Sequence, residues 1–215
     1  MVTVKNKKSR VIIDKLRFQK EKILSKEEII KTMEDYQKIY KIKVNMISIW
    51  TYLRKDSYIK RILGDYYYVF SLEERHNHYC NFSEEELVFF VLEKMRLRWY
   101  LGLETALKEN KITWQALNVV IIVNNNLSGI KKLGNSEFKF IKTKEERFNF
   151  GLIKKETNNK VSYFYSDLEK TYLDFLYFYK EKDIENMKKN LDFEVKKDKL
   201  KRYAINYSKK IQEAI

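Results

Sequence analysis

The spacing of apolar residues predicts three helices in the first third of the chain. The first is expected from Val11 to Leu24. Residues 25–28, SKEE, have the S-x-x-E spacing of a capping box, which predicts a second helix from Lys26. Asn45 can cap a third helix, whose core-facing residues recur at helical spacing: Met46, Ile49, Trp50 and Leu53. The pattern then changes from helical to strand-like.

A β-hairpin is predicted after these helices. The segment YIKRILGDYYYVF, residues 58–70, places two runs of β-branched and aromatic residues on either side of Gly64-Asp65. A glycine-containing pair between such runs is typical of a hairpin turn, although Asp-Gly is the commoner order. Three helices followed by a hairpin is the order of a winged helix-turn-helix, whose third helix enters the major groove of DNA. We therefore expect a winged-helix DNA-binding domain over residues 1–72.

The rest of the chain mixes both patterns. Residues 73–82 are predicted to be a linker, and residues 83–215 a second domain. In that domain a capping box at residues 83–86 opens a helix to about Leu97, and the other predicted helices cover 101–110, 183–190 and 197–213. Strands are predicted at 119–123, 138–141 and 161–165. The predicted fold class is α+β, with an N-terminal winged helix-turn-helix and a mixed α/β C-terminal domain ending in helices.

The segment SDLEKTYLDFLYF, residues 166–178, fits either an acid/base site or a capped, buried helix. Ser166 and Glu169 have the spacing of an N-cap and the third helical residue, and acidic residues in a first turn suit the helix dipole. Lys170 and Asp174 can pair across one turn. Apolar side chains cover most of the remaining surface of this helix, so the structural interpretation is favoured over catalysis.

Composition adds a preference for an anionic partner. The chain has 215 residues and a formal net charge of +14, and residues 1–70 hold 17 lysines and arginines against 8 aspartates and glutamates. Such basicity favours nucleic acid as the partner. A single cysteine, no signal peptide and no apolar run long enough to span a bilayer predict a cytoplasmic protein without disulfides or membrane contact.

The candidate DNA contacts lie on the third helix and beside it. Short hydroxyls and cations suit contacts to base edges and phosphates, whereas an ordinary solvated helix face would look similar. The candidates on the helix are Ser48, Thr51, Tyr52 and Lys55, with Arg54 at the flank, and those outside it are Lys41 and Lys43 ahead of the helix and Lys60 and Arg61 on the hairpin.

The signals for catalysis are weak. His76, His78 and Cys80 form an H-x-H-x-C pattern, but they are the only histidines and the only cysteine, and a closed zinc site needs a fourth ligand. The chain has no phosphate-binding glycine loop, no G-x-S-x-G and no H-E-x-x-H. We therefore expect neither an enzyme nor a bound metal or cofactor.

Several segments resemble one known family. WYLGLETALKENKIT, residues 99–113, resembles the YYLGLxSALxxHGLT signature of AbiEi antitoxins from type IV toxin–antitoxin systems. SDLEKTYLDFL, residues 166–176, is similar to their sxLEKTLLDLL helix, and LKRYAINYSKKI, residues 200–211, to a later helix. FKFIK (138–142) and FNFGL (148–152) stand where the family has a strand and a Phe-Gly turn. Asn110-Lys111 replaces the usual His-Gly of the first signature.

This resemblance implies a repressor and antitoxin. Its first domain would bind operator DNA, expected as an inverted repeat, and repress its own operon. Its second domain would counter an AbiEii-like nucleotidyltransferase toxin, with or without direct contact. Three alternatives remain open: a stand-alone winged-helix regulator with a ligand- or protein-sensing C-terminal domain, a protein-interaction module that does not bind DNA, and a metal-dependent enzyme.

Overall fold

The computed structural model of the chain describes residues 7–41, 43, 45–113, 118–179, 193–213 and 215. These residues form helices and two separate β-sheets, which confirms the predicted α+β class. The chain divides into two compact units, Met1–Val91 and Leu92–Ile215. Across the described ranges, no helix combines the length and apolarity needed to cross a membrane.

Among its described residues, the first unit has a three-stranded antiparallel sheet, three helices ahead of β2 and two helices after β3. The strand order in the sheet is β1-β3-β2, so the central strand comes last in the chain. The elements are α1 (Lys7–Arg17), β1 (Ile23–Ser25), α2 (Lys26–Ile39), α3 (Met46–Lys55), β2 (Ile59–Arg61), β3 (Tyr66–Val69), α4 (Leu72–His76) and α5 (Glu84–Lys94), the last of which crosses the unit boundary.

The capping signals predicted ahead of α2 and α3 are confirmed. Ser25 and Glu28 form a reciprocal capping box, with Glu28 N donating to Ser25 Oγ at 3.1 Å and Ser25 N donating to the Glu28 carboxylate at 2.6 Å. The Asn45 side chain accepts from Ser48 N at 3.1 Å and opens α3. Each cap satisfies an N–H that the first helical turn would otherwise leave without a partner.

The first helix was predicted to extend to Leu24, whereas α1 ends at Arg17. Ile23 and Leu24 instead pair with Tyr68 and Tyr67 of β3, and both are buried. Pairing with a neighbouring strand gives their backbone groups partners that the local sequence does not reveal.

The core of the first unit fixes the orientation of α3. Ile49 and Leu53 are buried against residues of α1 and α2, and burying a side chain of this size contributes about 1.5–3 kcal/mol. Met46 and Trp50 are partly buried beside them, as the helical spacing of these four apolar residues predicted. The other members of this core include Ile12, Leu16, Ile29, Met33 and Val69.

Residues 73–82, predicted to be a linker, lie within the first unit. Ser71 and Glu74 form a capping box that opens α4. The Glu74 side chain is buried and accepts from Tyr68 OH at 2.6 Å and from Asn81 N at 3.1 Å. These bonds attach the segment to the sheet, and the compact unit extends to Val91.

The second unit is built around a six-stranded mixed sheet of order β6-β7-β5-β4-β9-β8. The β4–β9 and β5–β7 pairs are parallel, and the other neighbours are antiparallel. The strands are β4 (Trp99–Leu101), β5 (Val119–Asn124), β6 (Gly129–Leu133), β7 (Ser136–Lys142), β8 (Leu152–Glu156) and β9 (Ser162–Ser166). The helices are α6 (Leu103–Glu109), a 3₁₀ turn (Glu145–Phe148), α7 (Leu168–Phe178), α8 (Lys197–Ala204) and α9 (Lys209–Glu213).

Three of these strands correspond to predicted ones, namely β5, β7 and β9. β4 was not predicted: Trp99–Leu101 pairs with Asn124, Val123 and Ile122 of β5, and only Leu101 of this strand had been assigned to a helix. The helix predicted over 197–213 is two helices, α8 and α9. The helix predicted over 183–190 lies outside the described residues.

Candidate nucleic-acid interface

The exposed face of α3 is the first candidate site. Ile49 and Leu53 are buried in the core, so the side chains on the opposite side of α3 face away from the core. Ser48, Thr51, Arg54 and Lys55 are all exposed, and together with Ile47 they form what we call the α3 stripe. This stripe combines two hydroxyls, two cations and one apolar side chain, which suits contacts to base edges and phosphates.

Tyr52 does not belong to the stripe, contrary to the prediction. It packs partly buried against the core, and its hydroxyl lies 3.2 Å from that of Tyr58. Burial and the hydrogen bond with Tyr58 raise its pKa well above the ordinary tyrosine value. Arg54, predicted at the flank, is exposed. The core-facing side of α3 is the predicted one, but Tyr52 beside it packs against Tyr58, and the exposed Arg54 takes the place expected for Tyr52.

Ile47 was not predicted as a contact, although it is 78% exposed. Its spacing of four residues from Thr51 could have placed it on the same face. An isoleucine so exposed on a polar face can contact a thymine methyl group in the major groove.

The candidate cations outside α3 differ in their exposure and in the partners that they have within the protein. Lys41 and Lys43 are exposed between α2 and α3, and Lys41 has a φ of 50°. Lys60 is half-buried, with its Nζ 3.5 Å from the Glu84 carboxylate. Arg61 donates from Nε to the Gly64 carbonyl at 2.5 Å and lies 3.4 Å from Asp65 in the hairpin turn, and its side chain is 61% exposed. An exposed pair of this kind contributes little stability.

The carboxylates of α7, the second candidate site, hold helices together. Asp167 caps α7 by accepting from Lys170 N at 2.9 Å, so the predicted Ser166 cap is wrong. Lys199 of α8 lies 2.8 Å from both the Asp167 and the Glu169 carboxylates. Burial acts to raise the pKa of Glu169, but hydrogen bonds from Lys199 and from the Lys196 backbone outweigh it and lower the pKa.

A buried ion pair lies further along α7. Lys170 and Asp174 are both fully buried, with Nζ 3.4 Å from the carboxylate. Tyr100 OH and Tyr207 OH also donate to Asp174, at 2.8 and 2.6 Å. Burial lowers the pKa of Lys170, and its Nζ lies 4.5 Å from the centre of the Tyr100 ring. The carboxylates of α7 thus all have partners within the unit, which gives them a structural role.

His76, His78 and Cys80 do not form a strand, but all three line one cavity of the first unit. Burial raises the pKa of the Cys80 thiol, which disfavours the reactive thiolate. Within the described part of the chain, no group of three or more His, Cys, Asp or Glu side chains is arranged to hold a metal ion.

No model of a known protein family matches the chain. Comparison with curated proteins likewise gives no match. The α3 stripe and the surrounding cations are therefore the strongest pointers to function.

Proposed function

We propose that the first unit is a winged helix-turn-helix that binds duplex DNA. Through this binding, the protein would act as a transcriptional repressor. The single observation that carries this proposal is the α3 stripe, which presents hydroxyls and cations on the helix that follows a short connection from α2. The element order α1-β1-α2-α3-β2-β3, with β3 central in the sheet, supports the winged-helix assignment. Fold alone does not establish function, so the stripe matters more than the topology.

In the proposed complex, α3 lies in the major groove. Ser48 and Thr51 would contact base edges, and Ile47 a thymine methyl, because these side chains are short and exposed. Arg54 and Lys55 at the end of the helix would bind phosphates. Of the hairpin cations, the largely exposed Arg61 is better placed than the half-buried Lys60 to reach the DNA backbone.

A mobility-shift assay with the protein's own promoter tests DNA binding. Thr51→Ala should change the preference among operator sequences by about 1–3 kcal/mol per affected base pair. Lys55→Ala should weaken binding to operator and random DNA alike and reduce the slope of log K against log salt by about one.

Lys31→Ala is the matched control, because Lys31 is an exposed cation of α2 outside the stripe. Absence of any shift with wild-type protein would reject DNA binding. Equal losses on operator and random DNA for every stripe variant would reject base reading by α3.

The resemblance to AbiEi antitoxins supports a narrower proposal. LGLETAL and DLEKTYLD both lie in the second unit, which would carry the antitoxin function against a nucleotidyltransferase toxin in the cytoplasm. The operator would be an inverted repeat upstream of the same operon. The alternative is a stand-alone regulator whose second unit senses a ligand or a protein.

Co-expression with an adjacent nucleotidyltransferase gene separates these two proposals. An antitoxin should restore growth, and it should still do so with Thr51→Ala if neutralisation does not depend on reading the operator. A genome without such a gene beside this one, or a failure to restore growth, would favour the stand-alone regulator.

A further inference from the structure

The first unit contains an open cavity of about 900 Å³, and the proposed function draws only on Lys55 and Lys60 of its lining. A volume of this size is in the range of small-molecule sites. Residues from the ends of α1 and α3, from β2 and from the segment after β3 line it, and they include Arg17, Lys55, Lys60, Arg75, His76 and Tyr79.

The charge of the cavity is positive. Among the residues that the structure describes, four cations line it and two carboxylates do, those of Asp56 and Glu74. The Glu74 carboxylate already accepts hydrogen bonds from Tyr68 OH, Ser71 N and Asn81 N, so it is occupied by partners of its own. Arg75 donates from Nε to the Asp56 carbonyl at 2.9 Å, which fixes its guanidinium beside the cavity.

Arg17 provides independent evidence for an anion-binding site. Its side chain is 94% buried (6% exposed), yet Nε and Nη2 have no hydrogen-bond partner among the described residues. Only Nη1 approaches an acceptor, Asp14 Oδ1, at 3.5 Å. Arg17 also lines a neighbouring cavity of about 350 Å³ together with Arg10 and Lys22. Buried donors of a charged group without acceptors are costly, so a ligand rich in acceptor oxygens would stabilise this arrangement.

We propose that this cavity binds a small phosphate-bearing anion. The guanidinium carbons of Arg17 and Arg75 both lie over the Tyr58 ring, at 5.3 and 3.9 Å from its centre, and these contacts restrain both groups beside the cavity. Guanidinium groups held in place in this way suit the paired oxygens of a phosphate. Phe70 and Tyr79 add aromatic surface for an organic group attached to the phosphate.

A small molecule fits the cavity better than the backbone of duplex DNA does. Arg17 is enclosed by the protein, whereas the phosphates of a duplex are held on a stiff rod of about 50 nm persistence length. A phosphate contact with DNA would be expected at exposed cations such as Arg54.

Isothermal titration of the full chain with inorganic phosphate and with pyrophosphate, at constant ionic strength and without DNA, tests the site. We expect saturable binding, tighter for pyrophosphate, and a loss of about tenfold or more in Arg17→Met and in Arg75→Met. Lys60→Met, at a half-buried position, provides a third variant that should fold even if Arg17→Met does not. Lys31→Met is the control and should bind as the wild type does.

Circular dichroism first establishes which variants are folded. Absence of saturable heat with both anions in the wild type would overturn the proposal. It would also be overturned by an equal loss in Lys31→Met and the folded cavity variants, which would indicate general attraction to a basic surface. If the cavity variants lose affinity for duplex DNA while neither anion binds the wild type, these cations belong to the DNA interface instead.

Discussion

The energetic contribution of an ion pair predicted from sequence spacing depends on whether its two residues are buried. The spacing of Lys170 and Asp174 predicted an ion pair, which on an exposed helix contributes about 0.2–0.5 kcal/mol. Both side chains are instead fully buried, and Tyr100 and Tyr207 donate to the same carboxylate from β4 and from the connection between α8 and α9. The Lys170–Asp174 pair could be predicted from the sequence of α7 alone. The two tyrosines could not, because they lie 74 and 33 residues away from Asp174 in the chain.

We expect Asp174→Asn to destabilise the protein by about 3–5 kcal/mol, because Lys170 would keep a buried charge without its carboxylate. Urea unfolding at neutral pH measures the change in the free energy of unfolding. Asp65→Asn is the control, since Asp65 is 72% exposed in its pair with Arg61 and should change the free energy by less than about 0.5 kcal/mol. A loss as small for Asp174→Asn as for the control would indicate that Lys170 is readily neutralised.

Single elements were predictable where their own sequence contains both the start signal and the periodicity. The capping boxes at Ser25 and Ser83 are of this kind. At α7 the same spacing misled, because Ser166 remains paired to Leu152 in the sheet and Asp167 becomes the cap. The strands β6 and β8 were not predicted, because their side chains do not alternate between buried and exposed. Each strand has four or more consecutive exposed or half-exposed positions. Both are edge strands with two adjacent lysines, a common protection against edge-to-edge pairing.

The segment after β3 depends on one carboxylate, which makes its attachment sensitive to pH. Burial acts to raise the pKa of Glu74, but hydrogen bonds from Tyr68, Ser71 and Asn81 outweigh it and hold the pKa below the ordinary value of 4.5. The stabilisation is therefore complete above the unfolded pKa and is lost as pH falls through the lower, folded pKa.

Accordingly, Glu74→Gln should lower the free energy of unfolding at neutral pH, and the difference from wild type should shrink as pH falls below 4.5 and through the lowered pKa of Glu74. Urea unfolding of both proteins across this range provides the measurement. Glu73→Gln is the neighbouring control, because Glu73 is exposed and should show no such trend. A constant difference at every pH would mean that the charge of Glu74 does not contribute to the attachment.

At the scale of the whole molecule, the charge distribution differs from the one that the sequence indicated. The first 70 residues are strongly basic, but the first unit extends to Val91 and gains five glutamates beyond residue 70, three of them in α5. The second unit holds 26 lysines and arginines against 17 aspartates and glutamates. The positive excess is therefore shared, because a boundary set by packing cannot be located by counting charges. The case for DNA binding depends on which cations α3 exposes, not on the net charge of its unit.

Each unit has a core of its own, so the two should unfold as separate cooperative blocks. One core joins α1, α2, α3 and the small sheet, whereas others join α7 to α8 and α9 and to the large sheet. Scanning calorimetry should then show two transitions. Met33→Ala, at a fully buried position of the first core, should cost about 2–5 kcal/mol and lower one of them. Asp174→Asn should lower the other, by roughly 10 °C. A single transition that both variants shift equally would show that the units unfold as one block.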